Sequence, residues 1–317
     1  MSFQSARSPI RPPPPTLAWT SPSLGGVVPE PADHSSFADP LNIDHLKASL
    51  RTRAFGQVLR YTPSTTSTNA DALLALQQPS ATPTPHGSVF LTECQTAGRG
   101  RRGRTWHSPP QGNIYTSVIV LPAPGTTRVG PWLSWIPLFA ALATADALVA
   151  ATGLPISVKW PNDLLVERKK IGGILCEQTS RPDKTIAVVI GIGLNINAPL
   201  DSFPEELKAG ATTLAAEAGR LVDRAALLTE LFLRLEQRLD GLLTDGPTGM
   251  IDEYTQRCST LGRTVRVSLE QERIVEGVAE SIGPDGCLRI RVSSDSAQPP
   301  SPSLLEVRSA EVVHLRG

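Results

Sequence analysis

Residues 158–177 read VKWPNDLLVERKKIGGILCE, and this stretch says more about the fold than any other part of the chain. Two short apolar runs, Ile156–Trp160 and Leu164–Glu167, flank a turn that contains Pro161, and a third run covers Gly173–Gln178. Short apolar runs bounded by Pro and Gly are typical of strands. The stretch therefore predicts consecutive strands at the centre of a strand-rich block.

The same stretch carries a group of polar residues suited to phosphate chemistry. Asp163, with Asn162 beside it, has oxygen atoms that suit a magnesium ion or ribose hydroxyls. Lys159 and Lys170 have the charge to neutralise a carboxylate and phosphates, whereas Lys169 is interpreted as the solvated member of its pair. The alternative is a hairpin whose charges are simply exposed.

A second informative stretch, Glu93–Ser108, reads ECQTAGRGRRGRTWHS. Four arginines and three glycines fill Gly98–Arg104. Glycines let the backbone curl and present N–H groups to an anion, and arginines add forked, charged donors. These residues predict a loop that closes over a phosphate or carboxylate. The alternatives are a solvated basic loop and an RNA-binding arginine patch, and Trp106 alone is typical of a core or lid aromatic.

Hydrophobic periodicity adds further elements around these two stretches. A helix is predicted to start at Asn42 and reach Gln57, and a second to follow the Ser67-Thr68-Asn69 cap. The Ala-rich run Ser134–Ala151 predicts a buried helix, and Asp223–Leu243 an amphipathic one. Further strands are predicted at Gly87–Cys94, Ile114–Leu121, Thr185–Asn195, Leu261–Val267, Ile274–Ile282, Cys287–Val292 and Leu304–Leu315.

Composition limits the classes of function. The 317 residues include 30 basic and 30 acidic side chains, so no global basic field would gather nucleic acid. Four scattered cysteines indicate a reducing, cytoplasmic setting. The five histidines show no metal-ligand spacing, so no protein metal site is predicted. We find no apolar run long enough to predict a membrane span.

Two nucleotide-binding patterns are excluded. No Walker A sequence occurs. The run VVIGIGLNIN at Val188–Asn197 lacks the third glycine of a dinucleotide fingerprint and does not open a helix, so we interpret it as a buried strand whose glycine pair flanks a pocket. ATP use would therefore need a different phosphate cradle.

The order of the motifs resembles that of the biotin–protein ligases. It runs from an STNADAL-like entry (Ser64, Ser67, Thr68, Asn69) through ECQTAGRGRRGRTWHSP, GNIYTSV, VKWPNDLLV…KKIGGILCE and GIGLNIN to ATTL at Ala211–Leu214, and covers roughly residues 60–245. The resemblance implies an α/β (α+β) fold: a mixed-sheet catalytic domain related to lipoate ligases, with a small SH3-like C-terminal β-barrel. It also implies ATP-dependent formation of biotinyl-5′-AMP, with Mg²⁺, followed by transfer of biotin to a lysine of a biotin carrier domain.

The resemblance assigns a role to each matching position. Lys170, Asp163 and Arg101 are the implied catalytic residues. The implied biotin-binding residues are Ser67, Thr68, Asn69, Gln95, Arg99, Gly100, Arg101 and Lys170. The implied nucleotide-binding residues are Arg102, Arg104, Trp106, Lys159, Asn162 and Asn195.

We predict three segments: a disordered Pro-rich leader over 1–40, a catalytic domain over 41–258 and the SH3-like domain over 259–317. The leader holds nine of the 29 prolines and shows no winged-helix pattern, so a monofunctional ligase without DNA binding is expected. The expected partner is the carrier domain of a biotin-dependent carboxylase, and a homodimer is an open possibility. The alternatives are a lipoate or octanoate ligase or transferase of the same fold, and a nucleic-acid-binding regulator.

Overall fold

The computed structural model describes residues 40–78, 84–110, 112–121, 133–269, 273–295, 303–308 and 310–315. All of them belong to a single compact unit that spans Phe37–Gly317. The predicted leader, apart from Pro40, lies outside the described residues. No helix in these ranges has the length and apolar character needed to cross a membrane.

A seven-stranded mixed sheet forms the centre of this unit. Its strands lie in the spatial order β1-β2-β3-β7-β6-β5-β4; β1 and β2 are parallel and the other neighbours antiparallel. The strands are β1 Leu59–Thr65, β2 Val89–Gln95, β3 Ile114–Val120, β4 Ile156–Lys159, β5 Asp163–Val166, β6 Lys169–Ser180 and β7 Ile186–Leu194. The pairing register places Ser117, Gly191 and Leu175 in one row across β3, β7 and β6.

Two long helices cover one face of this sheet. Helix α3, Ile136–Thr152, is buried along most of its length, and Gly153 ends it in the left-handed conformation. Helix α6, Arg224–Asp245, begins at the Asp223 cap and turns a leucine stripe toward α3 and the sheet. The prediction of a buried Ala-rich helix is confirmed. The remaining helices are α1 Ile43–Ser49, α2 Thr68–Gln77, α4 Glu205–Lys208, α5 Leu214–Ala218 and α7 Thr248–Arg257.

The opposite face of the sheet packs against α2. Ala72, Ala75 and Leu76 on this helix form a small apolar cluster with strand residues such as Phe90 and Val189. This packing fixes the first turn of α2 over the row that contains Gly191. It also places the start of the helix beside the segment 98–106, which we call the arginine–glycine loop.

The helix predicted to start at Asn42 and reach Gln57 ends much earlier, at Ser49. The reason is a competing acceptor: the carboxylate of Glu236, on α6, accepts hydrogen bonds from the backbone N–H groups of Arg53, Ala54 and Phe55. A single carboxylate thus replaces the helix carbonyls that these donors would otherwise need.

The C-terminal residues form a separate five-stranded antiparallel sheet in the order β11-β10-β9-β8-β12. Its strands are β8 Thr264–Ser268, β9 Ile274–Ile282, β10 Leu288–Asp295, β11 Leu304–Val307 and β12 Glu311–His314. The prediction of one strand over Leu304–Leu315 is wrong, because β11 pairs with β10 whereas β12 pairs with β8 at the other edge. The predicted mixed sheet with a small β-rich C-terminal part is confirmed.

Candidate active site

A cavity of about 350 Å³ lies on the α2 face of the mixed sheet, between the arginine–glycine loop, the β4–β5 turn and the C-terminal sheet. Every residue predicted for the site contributes to its wall. These residues are Ser67, Thr68, Asn69, Gln95, Arg99, Gly100, Arg101, Arg102, Arg104, Trp106, Lys159, Asn162, Asp163, Lys170 and Asn195. The structure thus brings together side chains from five separate parts of the sequence.

One end of the cavity is built from polar side chains that carry no charge, with the Arg99–Glu177 ion pair at its edge. Thr68 and Asn69 are buried in the first turn of α2. Gln95, at the end of β2, accepts a hydrogen bond from the Thr68 backbone N–H at 3.0 Å through Oε1, and donates to Ser108 Oγ at 3.1 Å through Nε2. Asn69 Nδ2 donates to the Leu175 carbonyl at 3.2 Å. This end suits a neutral ligand group with several donors and acceptors.

The glycine pair of β7 makes this arrangement possible. A Cβ on Gly191 would overlap the amide of Asn69, with the Asn69 Nδ2 atom at 2.9 Å. A Cβ on Gly193 would lie 2.6 Å from Cε2 of the Trp106 indole. Gly191 therefore makes room for the Asn69 side chain and Gly193 for the Trp106 side chain, as expected for glycines that flank a pocket.

The other end of the cavity is charged. Lys170 Nζ lies 2.6 Å from Asp163 Oδ1 and 5.2 Å from the centre of the Trp106 ring. Lys159 is partly buried nearby: burial lowers its pKa and Lys170 adds to that effect, while Asp163 opposes both. The Trp106 Nε1–H is buried and has no hydrogen-bond partner among the described residues.

The arginine–glycine loop folds back on itself. The Gly100 N–H donates to the Arg104 carbonyl at 2.6 Å, and the Trp106 N–H donates to the Gly98 carbonyl at 2.9 Å. The bend requires left-handed backbone at Arg102 (φ 57°), followed by Gly103 (φ 75°). Glycine takes this conformation without the steric cost that arginine bears.

Each arginine of the loop contacts a different partner. Arg99 pairs with Glu177 on β6 at 2.8 Å, and Arg104 pairs with Glu311 on β12 at 3.2 Å. The other two arginines bind neutral acceptors: Arg101 donates to Asn162 Oδ1 at 3.1 Å, and Arg102 donates to the Ser268 carbonyl at 2.7 Å. The loop is therefore attached to β6, to the β4–β5 turn and to the C-terminal sheet.

Sequence reasoning missed several residues of the site. Phe203, Leu207 and Ala211, which follow β7, line the charged end, and so does Glu311 from the C-terminal sheet. Glu177 lies behind the wall rather than in it. Apart from Ala211, which opens the ATTL motif, no motif contains these positions, and only the tertiary fold brings them to the cavity. His107, just after the loop, contacts the segment that follows β7, since its Nε2 lies 2.9 Å from the Ser202 carbonyl oxygen.

Among the described residues, no group of three or more His, Cys, Asp or Glu side chains is arranged to hold a metal ion. Asp163 and Glu311 are the carboxylates that line the cavity wall, and Asn162 Oδ1, beside Asp163, already accepts a hydrogen bond from Arg101. A Mg²⁺ ion commonly binds through one or two carboxylates and the phosphates of its nucleotide. The donor set therefore fits an ion that arrives with a nucleotide.

The family model described as the biotin/lipoate A/B protein ligase family matches residues 61–195. The chain is 36% identical over 208 residues to the bifunctional ligase/repressor BirA of Bacillus spizizenii, covering 66% of this chain and 62% of that protein. The chain thus spans about three fifths of the length of this relative.

A second relative is matched along most of its length. The biotin–[acetyl-CoA-carboxylase] ligase of Mycobacterium tuberculosis is 34% identical over 252 residues, which cover 80% of this chain and 87% of that protein. Among solved structures, the biotin protein ligase from Aquifex aeolicus in complex with biotin and ATP aligns with a TM-score of 0.66 and 26% identity. The alignment covers 82% of this chain and 100% of that one.

Proposed function

The chain belongs to the biotin/lipoate A/B protein ligase family, and on that premise we propose that it is an ATP-dependent biotin–protein ligase. One observation carries the proposal: a single cavity has an uncharged polar end built on Asn69 and a charged end built on Lys170 and Asp163. Biotin has a neutral cyclic urea at one end and a carboxylate at the other, so it matches both ends of the cavity.

In the first step the biotin carboxylate attacks the α-phosphate of ATP, forming biotinyl-5′-AMP and releasing pyrophosphate. The carboxylate is already ionised at neutral pH, so the enzyme's task is to align two anions and neutralise their charge. Lys170 approaches the carboxylate and the bond being formed. Lys159 and Arg101 supply further positive charge at the same end of the cavity.

In the second step the amine of the acceptor lysine attacks the acyl carbon of the mixed anhydride, and AMP leaves. We assign to Asp163 the task of orienting this amine, and the position of its carboxylate on the cavity wall beside Lys170 supports the assignment. For transfer, the ion pair between Lys170 and Asp163 must therefore open. Lys170 then stays beside the phosphate, and the Asp163 carboxylate binds the amine.

The nucleotide is assigned to the end bounded by Trp106, Asn162, Asn195 and the segment after β7. The Trp106 Nε1–H is available there as a donor among the described residues. Asn195 serves mainly to hold that segment, since its Nδ2 donates to the Thr212 carbonyl at 3.1 Å. Arg102 and Arg104 bind the C-terminal sheet, so any contact they make with phosphates involves an exchange of partners.

We assign the acceptor to the biotin carrier domain of a biotin-dependent carboxylase, and the setting to the cytoplasm. Four free thiols are compatible with a reducing compartment. The proposed ligase acts without binding DNA, and a homodimer is compatible with the position of β1 at the edge of the sheet formed by the described residues.

The test of the function is a mass measurement. The protein is mixed with biotin, MgATP and a biotin carrier domain, and in parallel with lipoate, MgATP and a lipoyl domain. The proposal predicts one biotin increment on a single carrier lysine. Modification of the lipoyl domain alone would replace biotin by lipoate as the substrate, and salt-sensitive binding of DNA or RNA without either product would favour a regulator.

The role of Lys170 is tested by Lys170→Ala, with the exposed neighbour change Lys169→Ala as the control. Loss of a charge that stabilises the transition state should slow pyrophosphate release at least about a hundredfold. Lys169 is more than half exposed, and its only carboxylate contact among the described residues is a long one, with Glu217 at 3.8 Å, so its removal should leave the rate unchanged. Normal pyrophosphate release by Lys170→Ala would remove Lys170 from this role.

A further inference from the structure

A residue outside the cavity wall connects two parts of the site. Glu177 lies on β6 and is not among the residues that line the cavity. Its Oε2 atom accepts a hydrogen bond from Asn69 Nδ2 at 2.7 Å and pairs with Arg99 Nη2 at 2.8 Å. One carboxylate oxygen therefore contacts the first turn of α2 and the neck of the arginine–glycine loop.

The contact with Glu177 fixes the orientation of the Asn69 amide. Asn69 Nδ2 lies near two groups that only accept, the Leu175 carbonyl and the Glu177 carboxylate. The Nδ2 atom must therefore face β6, and Oδ1 must face β3. There Oδ1 lies 2.6 Å from Ser117 Oγ. The amide packs directly against Gly191, where even a Cβ atom would overlap it. The amide therefore fits closely against the sheet.

The orientation of Asn69 sets the direction of the next hydrogen bonds. Ser117 Oγ lies 2.6 Å from Asn69 Oδ1 and 2.7 Å from Thr68 Oγ1. A hydroxyl has one proton, and an amide oxygen only accepts, so Ser117 donates to Asn69 and accepts from Thr68. The Thr68 hydroxyl then gives its proton to Ser117 Oγ at 2.7 Å rather than to Gln95 Oε1, which lies farther away at 3.3 Å, and it offers acceptor lone pairs to the cavity. Such an acceptor suits the N–H of a cyclic urea.

Glu177 also holds the loop. Arg99 lies at the neck of the loop, where it forms an isolated bridge with Thr105. Its side chain is 44% exposed, and its ion pair is with Glu177 on β6. The same oxygen that directs Asn69 thus sets the distance between the loop and the sheet over the uncharged end of the cavity.

We propose that Glu177 is a positioning residue for biotin: it sets the hydrogen-bond direction of the Asn69–Ser117–Thr68 chain and anchors the loop through Arg99. This inference rests on the proposed biotin ligation. It assigns to Glu177 no contact with the ligand, so the residue acts through its two partners.

The test is calorimetric titration of biotin into the full-length protein without ATP, using Glu177→Gln and Glu177→Ala. Glutamine keeps one acceptor oxygen, which serves Asn69, but loses the ion pair with Arg99; alanine loses both. Loss of an exposed ion pair changes a Kd by up to about fivefold, and loss of a hydrogen bond to a charged group changes it about tenfold, so biotin affinity should fall about fivefold for Gln and about fiftyfold for Ala.

The control is Glu280→Gln. Glu280 is also a partly exposed strand carboxylate paired with one arginine, Arg291, but it lies in the C-terminal sheet. The biotin affinity of the Glu280→Gln variant should stay within about twofold of that of the unchanged protein. Melting temperatures of all variants separate a loss of positioning from a loss of folding, and if Glu177→Ala does not fold, Glu177→Gln decides alone.

A double-variant cycle gives a readout that a purely structural role would not move. If Glu177 acts partly through Asn69, adding Glu177→Ala to Asn69→Ala should cost less than it costs in the unchanged protein. Biotin affinities of the folded Glu177 variants within twofold of the unchanged protein, or costs that multiply fully in the cycle, would overturn this inference alone. An unchanged protein that binds no biotin would overturn the proposed function together with it.

Discussion

Replacing Gly193 by alanine should slow adenylate formation while leaving the fold intact. Gly193 lies in β7, where its backbone is fixed on both sides by pairing with Tyr115 on β3 and Gly173 on β6. The Cβ of an alanine would lie 2.6 Å from Cε2 and 2.7 Å from Nε1 of Trp106. The strand is held on both sides, so the indole is the group that must move.

The size of the effect follows from the distances. Carbon atoms in contact prefer about 3.5–4.0 Å, so the indole must withdraw by about 1 Å. The backbone N–H of Trp106 donates a hydrogen bond to the Gly98 carbonyl, so a shift of Trp106 is transmitted to the loop. A misplacement of about 1 Å in an aligned site costs about a hundredfold in rate. Overpacking costs about 1–3 kcal/mol, and removing a strand glycine returns about 0.5–1 kcal/mol, so the net loss of stability is small.

The assay is pyrophosphate release with biotin and MgATP and without an acceptor, alongside a melting curve and a biotin titration. Gly249→Ala, in α7, is the matched control, because no atom lies within 4 Å of its new Cβ. Biotin affinity should change by less than about threefold in Gly193→Ala, since Asn69 lies over Gly191 instead. Adenylate formation at the unchanged rate by a folded Gly193→Ala protein would refute the assignment of Trp106 to the reacting end of the site.

Two further predictions concern the fold. Arg224→Met should lower the free energy of unfolding by about 3–5 kcal/mol in urea titrations, because it leaves the buried Glu93 carboxylate without its cation, and adding Glu93→Gln should recover part of the loss. Burial raises the pKa of Glu236, but three backbone N–H groups and Arg53 outweigh it and hold the pKa below the ordinary 4.5. The stability that Glu236 adds is therefore present above about pH 4.5 and is lost as the pH falls through its folded pKa. Glu236→Gln should flatten the fall of the free energy of unfolding on the acid side. Equal slopes for the two proteins would contradict this prediction.

The elements that sequence predicted well are those with a strong local pattern. The α6 leucines repeat at three- and four-residue steps, and Ile114–Val120 is rich in β-branched residues, so each segment indicates its own structure. The helix after Asn42 was predicted too long because the acceptor for Arg53, Ala54 and Phe55 lies on Glu236, about 180 residues away. No local pattern contains that information.

The same division holds for the site. Residues of the arginine–glycine loop and the β4–β5 turn were predicted because charged and glycine residues are contiguous there. Glu177 ends a run of apolar strand residues, and its two partners, Asn69 and Arg99, are 108 and 78 residues distant in the chain. A partly buried carboxylate acquires a role from what it contacts, and the sequence does not state those contacts.

The attachments of the loop differ in strength, and this difference bears on how it can serve two steps. Arg99 and Arg104 are 44% and 61% exposed, and exposed ion pairs contribute only about 0–1 kcal/mol each. Arg101 is more buried: burial lowers its pKa and Asp163 opposes that change. Exchange of Glu311 for a phosphate by Arg104 would therefore cost little, whereas the Arg99 pair with Glu177 and the Arg101 contact with Asn162 keep the loop in register. In the proposed ligase, a loop held in this way would release pyrophosphate and still cover the adenylate until the acceptor lysine reaches it.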